Sequence, residues 1–218
     1  LSPDRTAQSL GIAEYFAPFV PMMRDIADPG MAKHGIGWGA MTGVMAAELA
    51  GSGFTGVPSL LSWDMYAEWA SAIGNPYLSG EGVGYKHLSS CAWGHAAVRA
   101  AYETVQEHAI KLEEIAHITV HTFQEAIDLY QQYPQTTEQA QFSTKWPLAV
   151  MLLDGEVGPR QMLEERLADP AARALFDKIE LVLDPEIDER FHKNIKFDNR
   201  MYSSVDIRLA DGRTYHSG

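Results

Sequence analysis

The spacing of apolar residues changes once along the chain, near residue 77, and this change constrains the fold more than any other feature. Before it, apolar residues recur at helical spacing, and Pro18 and Pro21 interrupt the pattern. After it, short alternating segments are interspersed with helical ones. We therefore expect helices over residues 1–76. A smaller α/β domain with a small helix-covered sheet should follow over residues 77–218.

The helical part carries signals for three helices. The first runs up to Pro18 and Pro21, and the second covers residues 38–50. The second helix has glycine and alanine along one surface, and small side chains allow another helix to approach closely. Ser62 is expected to cap the third helix.

The α/β part predicts strands at residues 115–121, 178–184 and 201–209, the last followed by an Ala-Asp-Gly-Arg turn. Helices are expected at residues 143–153, from Pro159 onward, and from Asp169 onward. His117 and His121 lie four apart on the first strand and so share a face. They are either a metal pair or part of a solvated face. The solvated face is favoured, because a structural zinc site needs four ligands.

Composition narrows the class of protein. The chain has 218 residues, 46% hydrophobic and 21% charged, which is ordinary for a globular protein with a core. A single cysteine excludes an intrachain disulfide and is too few for an iron–sulfur cluster. The net charge of −12 argues against nucleic-acid binding, and no apolar run approaches the ~20 residues of a membrane span. We expect a cytoplasmic protein without nucleic-acid or membrane partners.

Residues 86–95, K-H-L-S-S-C-A-W-G-H, place an ammonium, a thiol and an imidazole close together. An alanine-rich helical pattern follows, so Cys91, His95 and Arg99 should share roughly one helical face, with Lys86 reaching over it from the preceding loop. The bland alternative is that Cys91 is a small buried hydrophobe, that His95 bonds to a backbone group, and that Lys86 is solvated.

This segment resembles the K-x-x-P-x-C/H-x-x-x-H motif of the MmgE/PrpD family, which includes 2-methylcitrate dehydratase and cis-aconitate decarboxylase. Residues 137–155 resemble the family's A-K/Q-F-S-x-x-Y/W segment, a polar turn leading into an apolar helix that ends in Asp-Gly. Residues 33–56 are similar to its small-residue helix closing on G-F-T-G. The three blocks occur in the family's order, which makes the combined signal specific.

The resemblance implies a lyase that dehydrates or decarboxylates a small polycarboxylate such as 2-methylcitrate. It implies acid–base chemistry without a metal or cofactor, and a homodimer; the family also contains epimerases. Family members are considerably longer, so the resemblance implies that this chain is an internal piece. Residues 1–76 would be the last part of an all-helical domain, and the smaller α/β domain over residues 77–218 would be incomplete at its C-terminal end. The alternative is a non-catalytic binding or assembly module, or an inactive paralogue.

Three catalytic candidates follow from the resemblance. Lys86 aligns with the motif lysine and would hold a carboxylate. Cys91 stands where relatives carry His or Cys, and a thiol beside a lysine near a helix start should have thiolate character, which suits proton transfer. His95 aligns with the closing histidine, and would either bond to the substrate or brace the helix.

Three further positions are candidates for substrate binding, and each departs from the family pattern. Trp146 stands where the family often has Tyr, so a phenolic acid is lost and only an indole N–H and an apolar wall are left. Gln141 stands where some members have Lys, just as Ser89 stands where the motif often has Pro. Lys33 lies one position from the family's other lysine; it either reaches the substrate or is a surface lysine.

Overall fold

The computed structural model describes residues 1–75, 84–194 and 201–217. These residues form two compact units. The first comprises Leu1–Met22 and Lys33–Tyr85, and the second comprises Met23–Ala32 and Lys86–Gly218. The domain boundary expected at residues 76 and 77 lies outside the described residues, and the assignment of residues 1–76 to a larger helical domain stays a prediction.

The described residues contain eleven α-helices and four strands. The helices are α1 (Pro3–Tyr15), α2 (Met22–Ala27), α3 (Ile36–Gly51), α4 (Ala67–Ala72), α5 (His95–Glu107), α6 (Gln124–Ile127), α7 (Thr137–Gln141), α8 (Lys145–Asp154), α9 (Glu164–Leu167), α10 (Pro170–Phe176) and α11 (Pro185–Asn194). The strands are β1 (Ile115–Thr122), β2 (Ile179–Leu183), β3 (Ser204–Leu209) and β4 (Thr214–His216). The expected combination of helices with a small β-sheet is therefore present.

In the first unit, α1 packs against α3 through small side chains. Ile12, Ala46 and Ala50 are almost completely buried at this contact. The G-F-T-G segment then returns to α1, where the Gly56 amide donates to Gln8 Oε1 over 2.7 Å. A Cβ at Gly56 would lie 2.7 Å from the Ile12 nitrogen, so only glycine allows this approach.

The third helix of the first unit is shorter than expected. Two 3-10 turns, Leu60–Ser62 and Asp64–Tyr66, precede α4. Ser59, rather than Ser62, caps the first turn, because its Oγ accepts from the Leu61 amide over 3.2 Å. The Ser62 hydroxyl donates instead to the Ser59 carbonyl oxygen. The expected cap at Ser62 is therefore wrong.

The second unit is built on a mixed sheet with strand order β2-β1-β3-β4. Strand β1 pairs in parallel with β2 and antiparallel with β3, and β3 pairs antiparallel with β4. All three expected strands form within a few residues of their expected limits. The expected turn joins β3 to β4, where Leu209 donates its amide to the Arg213 carbonyl oxygen over 2.8 Å.

Helices α5, α8 and α10 cover one face of this sheet and form the main core. The residues that meet there are apolar on both sides, as the alternation along β1 predicts. The fully buried members include Val98, Ile118, Val120, Trp146, Leu148 and Ile207. The helix expected from Pro159 is divided, because Leu163 has an extended backbone between the 3-10 turn Pro159–Met162 and α9.

The other face of the sheet carries paired histidines. His117 Nε2 lies 3.0 Å from Glu180 Oε2, and His121 Nε2 lies 3.0 Å from Asp206 Oδ2. The two histidines thus bond to carboxylates on neighbouring strands, not to each other. Among the described residues, no helix is long and apolar enough to span a bilayer.

Candidate active site

Two of the three catalytic candidates meet at one backbone carbonyl. Lys86 Nζ lies 3.4 Å from the Ser90 carbonyl oxygen, and His95 Nε2 lies 3.2 Å from the same oxygen. Lys86 is exposed, whereas His95 is half-buried. The loop that joins the motif lysine to α5 therefore folds back on itself and brings the ammonium and the imidazole together.

Backbone hydrogen bonds fix this loop against the rest of the second unit. Ser89 donates its amide to the Val157 carbonyl oxygen over 2.9 Å, and Cys91 donates to that of Gln141 over 2.7 Å. Gly94 then passes close to α8: a Cβ there would lie 3.4 Å from Thr144. The first family motif is thus held directly against the second.

Cys91 does not belong to the helix that carries His95. It precedes a 3-10 turn, Ala92–Gly94, and α5 begins at His95. Arg99, one turn further on, pairs with Glu103 at 2.7 Å, and 78% of its side chain is exposed. The helical face that we expected these three residues to share is therefore wrong, because the thiol is placed by the turn.

The Cys91 side chain is half-buried in a small apolar cluster with Ile26, Leu129 and Phe142. This burial raises the pKa of the thiol, while the Trp93 amide and the charge of Lys86 act in the opposite direction. The thiol is therefore protonated at neutral pH. The expected thiolate character is wrong, because desolvation outweighs the nearby lysine.

His95 is a neutral imidazole with a defined tautomer. Burial is the largest cause that lowers its pKa, the hydrogen bond to Ser90 opposes it, and the charges of Lys86 and His87 lower it further. A carbonyl oxygen can only accept a hydrogen bond, so the His95 nitrogen that faces it, Nε2, must carry the ring proton and donate. Nδ1 is then unprotonated in the neutral ring and has the lone pair of a proton acceptor.

Ser90 itself was not singled out by the sequence. The residue is only 5% exposed, and its Oγ has no hydrogen-bond partner within the described ranges. A buried hydroxyl without a partner is unfavourable for folding. The position between the lysine and the cysteine is its only signal in the sequence, since burial cannot be read from so short a segment.

The structure places the substrate-binding candidates in different surroundings. Gln141 ends α7 beside Cys91, half-buried, and joins the catalytic loop through its carbonyl oxygen. Trp146 is fully buried, with its indole N–H donated to the Gln161 carbonyl oxygen over 2.9 Å. Lys33 lies in the first unit. Within the second unit, Gln141 is thus a substrate-binding candidate in direct contact with the catalytic loop.

A separate cluster has the side chains that metal ions prefer. Among the residues that the structure describes, Glu125, Asp188 and His192 offer ligand atoms within 4.8 Å of one another. His192 Nε2 lies 2.9 Å from Glu125 Oε1, and its Nδ1 bonds to the Asp188 carbonyl oxygen. These bonds raise the pKa of His192, because both favour the protonated imidazolium.

The fold and this loop define a helix-covered α/β domain with acid–base groups gathered beside a helix start. The chain belongs to the MmgE/PrpD family: the family model described as MmgE/PrpD C-terminal domain matches residues 89–218, more than half of the chain. This is a lyase-type family whose members are generally dehydratases or related enzymes. Among curated proteins, none matches the chain.

Proposed function

We propose that this chain is part of a lyase that dehydrates a small polycarboxylate, such as 2-methylcitrate, or decarboxylates a related acid by acid–base chemistry. The observation that supports the proposal is the convergence of Lys86 and His95 on the Ser90 carbonyl beside Cys91, at the start of the residues that match the family domain. Removal of water from a hydroxy acid needs a cation, a base and an acid, and these three side chains are of the required types.

Lys86 supplies the cation. Its ammonium is exposed, and its hydrogen bond to the Ser90 carbonyl oxygen is long at 3.4 Å, so a substrate carboxylate can replace that contact. A charge-assisted contact of this kind positions the substrate and offsets the negative charge that builds on the neighbouring carbon.

His95 and Cys91 divide the proton transfers. His95 Nδ1 accepts the proton from the carbon beside the carboxylate, and the electron pair of that C–H bond forms the new double bond. The C–O bond breaks, and the leaving hydroxyl takes the Cys91 proton and departs as water. The protonated state of the thiol at neutral pH suits this role as an acid. The histidine then returns its proton to the thiolate through solvent.

The other candidates have supporting roles in this proposal. Gln141 would donate its side-chain amide to a second carboxylate, and Lys33 would provide a further cation. Trp146 would act indirectly, because its indole is buried in the core that supports α8.

The proposed reaction is tested with a panel of 2-methylcitrate, citrate and cis-aconitate on the full-length protein. Alkene absorbance reports dehydration, and released carbon dioxide reports decarboxylation. Turnover of at least one acid, lost in His95→Gln, is the expected result. Binding of these acids without turnover would favour the alternative of a non-catalytic binding module.

We also propose that the protein is a homodimer. The support is apolar side chains exposed on α3, where Trp38 is 61%, Val44 66% and Met45 55% exposed. Large apolar side chains at neighbouring turns of one helix are typical of a surface that another helix covers. Sedimentation of the full-length protein at micromolar concentration should give a dimer, and a strict monomer would contradict this part of the proposal.

A further inference from the structure

We infer that Lys86 and His95 are coupled through the Ser90 carbonyl oxygen, so that a substrate carboxylate bound at Lys86 increases the affinity of His95 for a proton. The inference rests on the proposed function only for the identity of the anion. The coupling itself is a property of the free protein and can be measured without a substrate.

The geometry supports the coupling because one oxygen accepts from both side chains. The distances of 3.4 Å for Lys86 Nζ and 3.2 Å for His95 Nε2 place two nitrogens around a single acceptor. A positive charge this close disfavours a second positive charge on the imidazole. An ammonium that competes for the carbonyl also weakens the bond that would hold an imidazolium.

The charges around His95 give the coupling a definite direction. Lys86 and His87 both lower its pKa, and the bond to Ser90 raises it. Elsewhere on the surrounding elements, Arg99 is paired with Glu103 on α5, and Lys145 on α8 lies 4.3 Å from the centroid of the Phe176 ring. An anion bound at Lys86 therefore neutralises a charge that lowers the pKa of His95, and it leaves the Arg99–Glu103 ion pair intact.

A carboxylate on Lys86 offsets the ammonium charge and draws it away from the Ser90 carbonyl. Both effects favour the imidazolium, so the abstracted proton is held more strongly when the substrate is present. In the free protein, burial and the Lys86 charge keep the proton affinity of His95 low, and a bound anion raises it. The base is thereby strengthened in the complex where the proton is transferred.

The first test uses ligand-free protein and the imidazole proton signals in NMR. His95→Gln identifies the His95 signal, and its titration midpoint is measured in Lys86→Met. Lys111→Met is the matched control, because Lys111 is exposed and lies beyond the opposite end of α5. We expect the midpoint to move upward in Lys86→Met and to stay unchanged in Lys111→Met. An unchanged or lower midpoint in Lys86→Met overturns the coupling.

The second test adds tricarballylate, a polycarboxylate that lacks the leaving hydroxyl. Bound tricarballylate should move the His95 midpoint upward in the parent and cause no further rise in Lys86→Met. Binding, seen at other signals, without a change in the midpoint overturns the coupling and leaves the proposed substrate class intact. If tricarballylate does not bind while Lys86→Met still raises the midpoint, the coupling is supported and the polycarboxylate substrate is contradicted.

Discussion

The Cys91 amide donates to the Gln141 carbonyl oxygen over 2.7 Å, which joins two sequence motifs that lie far apart along the chain. The bond fixes the loop that carries the thiol to the end of α7. Because α8 follows α7 almost directly, the same contact sets the loop against the start of α8, where a Cβ at Gly94 would lie 3.4 Å from Thr144, the residue before that helix. These contacts join the loop to the core of the second unit.

Two buried serines should respond in opposite ways to alanine. Ser143 Oγ accepts from the Trp146 amide over 3.1 Å, whereas Ser90 Oγ has no partner within the described residues. We expect Ser143→Ala to lower the free energy of unfolding by about 1 kcal/mol. Ser90→Ala should leave it unchanged or raise it. Urea denaturation measures both, and a large loss in Ser90→Ala would show that its hydroxyl has a structural partner.

The single cysteine allows the thiol to be titrated directly. Thiolate absorbance of the parent minus that of Cys91→Ser belongs to Cys91 alone. Because burial raises the pKa of this thiol, the difference signal should develop at higher pH than for an unfolded cysteine. A midpoint below the ordinary value would show that Lys86 outweighs desolvation. Turnover by Cys91→Ser should fall, with its pH dependence moved upward, if this thiol is the acid.

His95 should make the protein less stable in mild acid. Its folded pKa is lowered below the ordinary 6.5, so the unfolded chain binds more protons than the folded one between these two pKa values, and the loss of stability is complete below the folded pKa. The resulting loss is absent at alkaline pH. Unfolding free energies of parent and His95→Gln, compared between pH 8 and pH 5, should therefore diverge, with the parent losing more. If the two free energies changed in parallel with pH, folding would not lower the pKa of His95, which would contradict its burial.

Two helical glycines should differ in their tolerance of alanine. A Cβ at Gly11 would lie 1.7 Å from the Val57 carbonyl oxygen, so Gly11→Ala must displace the segment that returns to α1. Gly43, inside α3, has nothing within 4 Å of its Cβ position among the described residues. We expect Gly11→Ala to lose several kcal/mol of stability. Gly43→Ala should gain about 0.5–1 kcal/mol, as for an open helix position. Equal effects would contradict the packing of α1.

The sequence predicts elements better than it predicts surroundings. The strand at residues 115–121 and the turn at Ala210–Arg213 follow from local patterns, since alternation and turn residues act within a few positions. The state of Cys91 does not. Its pKa depends on desolvation by Leu129 and Phe142, which no local spacing places beside it. The sequence places Lys86 five residues from Cys91, but the direction of the pKa shift is set by burial among residues that are distant in sequence.

Helix α8 shows the same difference between a local pattern, which the sequence predicts, and the surroundings of a side chain, which it does not. The apolar pattern of residues 143–153 predicts α8 almost to its limits. The pattern does not predict that the Trp146 indole donates a hydrogen bond to the Gln161 carbonyl oxygen. The 3-10 turn Pro159–Met162, which carries Gln161, comes close to the helix only in the folded unit. Family resemblance suggested a wall for the substrate, whereas packing makes this residue part of the core.

The most direct test of the central claim is the turnover of the accepted polycarboxylate by full-length Lys86→Met, with Lys111→Met as the control. The Lys86 side chain is exposed, so its replacement should preserve the fold. It should remove a charge-assisted contact of ~1.5–3 kcal/mol, which corresponds to a fall of at least tenfold in kcat/KM. Lys111→Met should keep the parental rate. Near-parental turnover by Lys86→Met would contradict the proposal that this loop holds the substrate.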